Sequence, residues 1–120
     1  MATSSYVGID VSKDRLDVAV PGKGQEKQVN NTQAGIAELV AWMQELQPKL
    51  IVVEATGGYQ RGVVDALFHA GLCVAVVNPA RVRQFARACG LLAKTDKLDA
   101  QVLAVFGQRV QPRRYEGQSE

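Results

Sequence analysis

Residues 6–20 read YVGIDVSKDRLDVAV, and the fold follows from how this stretch divides. Tyr6 to Asp10 is apolar enough for a short strand, Ser12-Lys13-Asp14 is turn-like, and Arg15 to Val20 resumes as a second strand. Pro21-Gly22-Lys23-Gly24 then breaks the pattern, and Glu26 to Asn30 reads as a third strand polar enough for a sheet edge. Turns this short return the chain antiparallel, so the N-terminal quarter is a three-stranded meander.

Beyond it the period changes. After a helix start at Asn31-Thr32, Ile36, Leu39, Val40, Met43 and Leu46 recur at spacings of three and four, one face of an amphipathic helix over residues 33–46. Trp42 flanks that face, where core packing is a better account of a lone aromatic than a base-stacking platform. Pro48 ends the helix, and Leu50 to Val53 is an uninterrupted apolar run of the kind shown by strands buried on both faces, with Glu54 at its end. Gly57-Gly58 is a loop, Arg61 to His69 a helix stopped near Gly71, and Cys73 to Val77 a further buried strand. Pro79 suits the first turn of a helix running to about Cys89. A last helix is expected from about Thr95, as N-cap, to Arg109, with Leu98, Val102, Val105 and Phe106 as its apolar stripe.

Strands joined through a helix cross over right-handedly and pair in parallel. The chain is therefore expected to form an α/β domain, a mixed five-stranded sheet flanked by helices, with ribonuclease-H-like topology. In that topology the first and fourth strands are neighbours, which brings Asp10 and Glu54 together. Residues 1–110 form one domain in this reading, and 111–120 a loose polar tail or the start of a linker to a C-terminal domain that this sequence lacks.

Composition excludes several classes. No apolar run approaches the roughly 18 to 20 residues a membrane helix needs. The N-terminus has no basic residue before Lys13 and no signal-like apolar stretch, so the cytoplasm is the expected compartment. Cys73 and Cys89, with His69 the single histidine, cannot compose an ordinary zinc site and are expected as buried, reduced thiols. His69 fits a helix end and no catalytic role.

The acids stand in telling places. Asp10, in GIDVSKD, and Glu54, in VVEATGGY, each close an apolar strand, where a carboxylate is expensive unless it has a partner or a purpose. Small residues follow Glu54 and leave room for a ligand. Asp96 and Asp99, in KTDKLDA, are three apart and on a helix would share one face. Asp96 taken alone fits an ordinary helix N-terminal acid, but that does not account for Asp10 and Glu54. Converging carboxylates repel one another, so such a set makes sense chiefly as a cage for hard divalent cations, Mg²⁺ or Mn²⁺. Two ions about 3.5 to 4 Å apart can stabilise both the attacking and the leaving oxygen of a phosphoryl transfer.

These three blocks, in this order and spanning Tyr6 to Val110, resemble the signature blocks of the DEDD insertion-sequence transposases, whose N-terminal domain is similar to the resolvase RuvC. The resemblance implies Asp10, Glu54, Asp96 and Asp99 as a catalytic, metal-binding tetrad that cleaves and rejoins DNA. It further implies a structured guide (bridge) RNA, a homo-oligomer of the full-length protein, and a catalytic serine in a second, C-terminal domain. No serine here suits that role: Ser4, Ser5 and Ser12 lie outside the expected context and Ser119 is in the tail.

Charge is unevenly spread. The net charge is +2, yet residues 81–115 hold eight Lys or Arg and only two acids, Asp96 and Asp99. Arg81, Arg83, Arg87, Lys94 and Lys97 are candidates to neutralise phosphates around the acids, against the plain alternative of a solvated helix face. Arg83 and Arg87, four apart, share a face. Tyr59, beside the loop glycines, is a weaker candidate for stacking on a base or sugar. Three other functions fit less well: a stand-alone resolvase-like nuclease using metal-bound water, an actin-like ATPase or sugar-kinase fragment, and a binding module without chemistry. The kinase-type enzymes need two such domains and glycine-rich phosphate loops, of which only Gly57-Gly58 is present.

Overall fold

Apolar alternation in the first strand and continuous apolar runs in the later ones put five strands into one sheet. The computed structural model describes residues 5–91 and 99–117. Its elements are β1 (Tyr6–Val11), β2 (Arg15–Val20), β3 (Gln25–Asn30), α1 (Gln33–Leu46), β4 (Leu50–Glu54), α2 (Arg61–His69), β5 (Val74–Val77), α3 (Pro79–Ala88) and α4 (Ala100–Val110). The sheet order is β3-β2-β1-β4-β5. β1 pairs antiparallel with β2 and β2 with β3, whereas β1 with β4 and β4 with β5 are parallel. The mixed five-stranded sheet expected from the sequence is thus present. Short turns can only reverse the chain, and a connecting helix supplies the length a parallel return requires.

Side chains alternate across each strand, and this sorts the core into two layers. Val7, Ile9 and Val11 of β1 pack with Leu39 and Met43 of α1 and Val63, Val64 and Leu67 of α2. On the other face Leu50 and Val52 of β4 and Ala75 and Val77 of β5 pack with Val82 and Ala86 of α3 and Leu103 and Phe106 of α4. Trp42 packs against the first layer, as core packing requires, and the Lys27 ammonium lies 5.9 Å from its ring centre. Caps set the helix starts: Thr32 accepts from the Gly35 amide at 3.1 Å, and Asn78 from that of Ala80 at 2.8 Å.

Two glycines seat α4. A Cβ at Gly8 of β1 would fall 1.9 Å from the Ala100 carbonyl oxygen, and one at Gly107 of α4 would fall 2.4 Å from Val52 Cγ2. The helix therefore lies directly on β1 and β4, closer than any side chain would permit.

Three expectations need correction. α4 begins at Ala100 with Asp99 as its N-cap, not with Thr95, which lies outside the described residues together with Leu98. Asp is the stronger capping residue, and its carboxylate is already used there. Asp99 accordingly precedes the helix, and the expected shared face with Asp96 lies outside the described residues. The stretch from Gln111 to Gly117 is docked and not loose. The Tyr115 amide donates to the Val74 carbonyl at 2.6 Å on the outer strand β5, its hydroxyl donates to Asp65 at 3.2 Å, and its ring meets Phe68 edge-on at 5.2 Å. One aromatic with three long-range partners outweighs the polar composition around it. Last, Cys89 is exposed at the end of α3, and Cys73, just before β5, is only partly buried although it packs against the second core layer.

Candidate active-site cleft

Register brings the acids of distant segments to one sheet face. Tyr6, Gly8 and Asp10 alternate onto the α4 side of β1, and Leu50, Val52 and Glu54 onto the same side of β4. The parallel pairing runs through Ile9 and Val53, so Asp10 and Glu54 stand one residue beyond it on neighbouring strands. Asp10 faces Asp17 of β2 in the antiparallel register.

A cleft of about 390 Å³ opens on this face, lined by Asp10, Asp17, Glu26, Gln28, Asp99 and Gln101 among others. Asp10 and Asp99, from opposite ends of the chain, thus share one cavity wall. Asp99 is exposed, and its Oδ1 accepts the Val102 amide at 2.9 Å. One such bond leaves most of a carboxylate's acceptor capacity available. Glu54 is half-buried and is not among the residues lining the cleft; its Oε1 accepts from the Thr56 hydroxyl at 2.9 Å while the Thr56 amide donates to Gln60 Oε1 at 3.0 Å. The loop after β4 therefore orients the Glu54 carboxylate.

Asp17, Glu26, Gln28 and Gln101 line the cleft and escaped the sequence reading. Asp17 is held by Gln28, whose amide donates to Oδ1 at 2.7 Å. Glu26 accepts from the Gln101 side chain, which ties α4 to β3 across the cleft. The signal for Asp17 was present: it interrupts RLDVAV on the parity that pairs with Asp10. Nothing local marks Glu26 or Gln101.

Among the described residues no three His, Cys, Asp or Glu side chains are grouped tightly enough to hold a metal ion. Asp96, the remaining acid of the expected tetrad, lies outside the described residues, as do Lys94 and Lys97. The acids lining the cleft, Asp10, Asp17, Glu26 and Asp99, offer carboxylate oxygens, the chemistry that suits a hard divalent cation and not a soft one.

Of the basic candidates, Arg81 and Arg87 are exposed and Arg83 half-buried on α3, which lies on the same sheet face as the cleft. The Arg81 guanidinium sits 5.6 Å from the Phe106 ring centre, so part of its role is to cap the core. Tyr59 is 46% exposed, and its carbonyl accepts from the Asn31 side-chain amide at 3.1 Å, which pins the loop beneath the ring. No helix among the described residues is long and apolar enough to cross a membrane.

Comparison with known proteins places this geometry. The sequence profile of a transposase family, the IS110-type DEDD transposases, matches residues 7–120. The pilin gene-inverting proteins of Moraxella lacunata and Moraxella bovis are each 29% identical over 124 residues, a span covering 98% of this chain and 38% of each relative. The chain thus spans little more than a third of their length. Among solved structures, Thermus thermophilus RuvC in complex with a Holliday junction substrate superposes with a TM-score of 0.61 at 17% identity, over 90% of this chain and 96% of that one. A second T. thermophilus RuvC structure gives 0.63 at 20% identity, over 89% and 96%. Identities this low speak to the fold alone. With the family profile covering nearly every residue and the sheet matching RuvC, the chain belongs to the IS110-type DEDD transposases and carries their RuvC-like, ribonuclease-H-like domain.

Proposed function

We propose that this chain is the metal-dependent domain of a DNA recombinase that cleaves and rejoins phosphodiesters, with Asp10, Glu54, Asp96 and Asp99 as the ligands of Mg²⁺ or Mn²⁺. The observation that carries this is the meeting of Asp10 and Asp99 on one cleft. Carboxylates gathered at a polyanion-processing site would repel both one another and their substrate unless cations were bound. The bound ions would supply neutralisation of the charge that develops on the attacking and leaving oxygens. The chain's own part is to hold the acids in place: Thr56 orients Glu54, the cap bond to Val102 fixes Asp99, and β-sheet register fixes Asp10.

DNA is the proposed substrate. The Moraxella relatives are named for gene inversion, and RuvC was solved on a branched DNA. Arg81, Arg83, Arg87, Lys94 and Lys97 would neutralise its phosphates, and Tyr59 would stack on a base or sugar. We further propose that residues 1–110 act as the catalytic unit in the cytoplasm. In the full-length protein this unit would be guided by a bridge RNA, would assemble as a homo-oligomer, and would use a serine from a C-terminal domain as nucleophile.

Millimolar Mn²⁺ tests the metal assignment directly. At about 100 times Kd, binding adds about 2.7 kcal/mol of stability and raises Tm. Asp10→Asn should abolish that rise, and identical responses of the two proteins would rule the cage out. Incubation of the purified chain with branched DNA separates the nucleophiles. Hydrolysis that Asp96→Ala abolishes would mean a water-using nuclease, whereas no cleavage by the chain alone is expected if a serine from elsewhere is required.

A further inference from the structure

We infer that Glu26 and Gln101 are positioning residues for the proposed metal site, a bridge that sets the distance between Asp99 and Asp10. The inference rests on the tetrad reading above. Asp99 is the N-cap of α4, and helix ends fray. A ligand on such an end needs anchoring, because productive metal geometry tolerates displacements of only about 0.5 Å.

Two contacts supply the anchor, one on each of the residues that follow Asp99. The carbonyl of Ala100 rests on the bare Cα of Gly8, two residues before Asp10 in β1. The side chain of Gln101 reaches over the cleft and donates to Glu26 on β3. Gly8 lets the first turn of α4 settle close on β1, but a helix seated at one point can still pivot. The bridge to β3, two strands away from β1, removes that pivot. Glu26 and Gln101 both line the cleft, and neither belongs to the tetrad. A glutamate that accepts from a neutral amide is suited to holding a helix end beside acids that are to receive a metal ion.

The test uses Mn²⁺ binding to the whole chain, read from the electron paramagnetic resonance of the free ion, together with amide exchange at Val102 and Leu103 in metal-free buffer. These two amides bond to the Asp99 side chain and carbonyl and so report its anchoring. Glu26→Ala and Gln101→Ala are each expected to speed both amides and to weaken Mn²⁺ binding about tenfold, the lower end for outer partners of a metal site. The double variant should be no weaker than either single one. Glu26→Gln keeps an acceptor for Gln101 and should bind nearly as wild type. If Gln101→Ala binds Mn²⁺ as wild type does, or if Glu26→Gln is as impaired as Glu26→Ala, the bridge is not the reason and the inference fails, the second result marking Glu26 as a ligand instead. If wild type shows no binding that Asp10→Asn abolishes, the tetrad reading itself falls and takes this inference with it.

Discussion

Gly8→Ala puts the seating of α4 to a direct test. The added methyl would lie 1.9 Å from the Ala100 oxygen, 2.7 Å from the Ala104 nitrogen and 2.9 Å from the Ala100 carbonyl carbon. Comfortable non-bonded contact starts near 3.5 Å, so the first turn of α4 must retreat by about 1.5 Å. All three obstacles are backbone, so no rotamer change relieves them. Overpacking of this kind costs about 1–3 kcal/mol, and a clash with helix backbone belongs at the upper end. The loss of unfolded-state entropy on replacing glycine offsets at most about 1 kcal/mol of that. For a chain of this size about 4 °C of Tm accompanies each kcal/mol, so a net loss near 2 kcal/mol lowers Tm by about 8 °C. Gly22→Ala is the internal control: a Cβ there meets nothing within 4 Å and should leave Tm unchanged or slightly raised. The same retreat carries Asp99 away from Asp10, so Mn²⁺ affinity should fall with stability. The assay is thermal unfolding by circular dichroism of both variants beside wild type, with and without Mn²⁺. If Gly8→Ala melts within about 2 °C of Gly22→Ala, a difference worth only about 0.5 kcal/mol, α4 does not lie on Gly8 and the cleft geometry is wrong.

Replacing Asp99 by Ala removes the α4 cap and should lower stability by about 1 kcal/mol, whereas Asp99→Asn keeps the cap; urea unfolding without metal reads the difference, and Mn²⁺ binding should be lost in both. Tyr115→Phe keeps the ring contact with Phe68 but loses the bond to Asp65. Burial, then the hydrogen bond and the charge of Asp65, raise the Tyr115 phenol above its ordinary 10.0. The folded state therefore favours the protonated phenol, and its contribution is complete below pH 10 and lost as pH rises through the raised value. An alkaline melting series should show an extra fall in Tm in wild type that Tyr115→Phe lacks. For Arg83 and Arg87, replacing both by Ala should flatten the salt dependence of DNA binding by about two units of slope in a fluorescence titration, and an unchanged slope would assign them to a solvated face.

Much of this protein is decided locally and can be read along the chain. The period of three and four over residues 33–46 is α1 to the residue, since an amphipathic stripe, a Thr32 cap and Pro48 leave no other bounds. The short turns at Ser12 and Pro21 force an antiparallel meander, and the helices α1 and α2 allow parallel returns, so strand directions follow from connection length, whereas the placement of β4 beside β1 and not beside β3 does not. Asp10 and Glu54 are conspicuous because each ends an apolar run.

What the tertiary structure decided are the matters settled between segments. Thr95 and Asp99 both present a capping side chain, and the described structure starts α4 after Asp99, where the following carbonyl can settle on Gly8 of a strand some ninety residues earlier. Asp17 joins the cleft through strand register, and Glu26 and Gln101 through a side-chain contact between β3 and α4, elements that are neighbours only in the folded chain. The polar stretch around Tyr115 carries no local signal for order. It is held because the outer edge of β5 offers an unpaired carbonyl at Val74, and α2 offers Phe68 and Asp65 beside it. Local propensity and period act over a few residues, so they mark elements; a cleft lined from β1, β2, β3 and α4 exists only once packing has brought those elements within reach of one another.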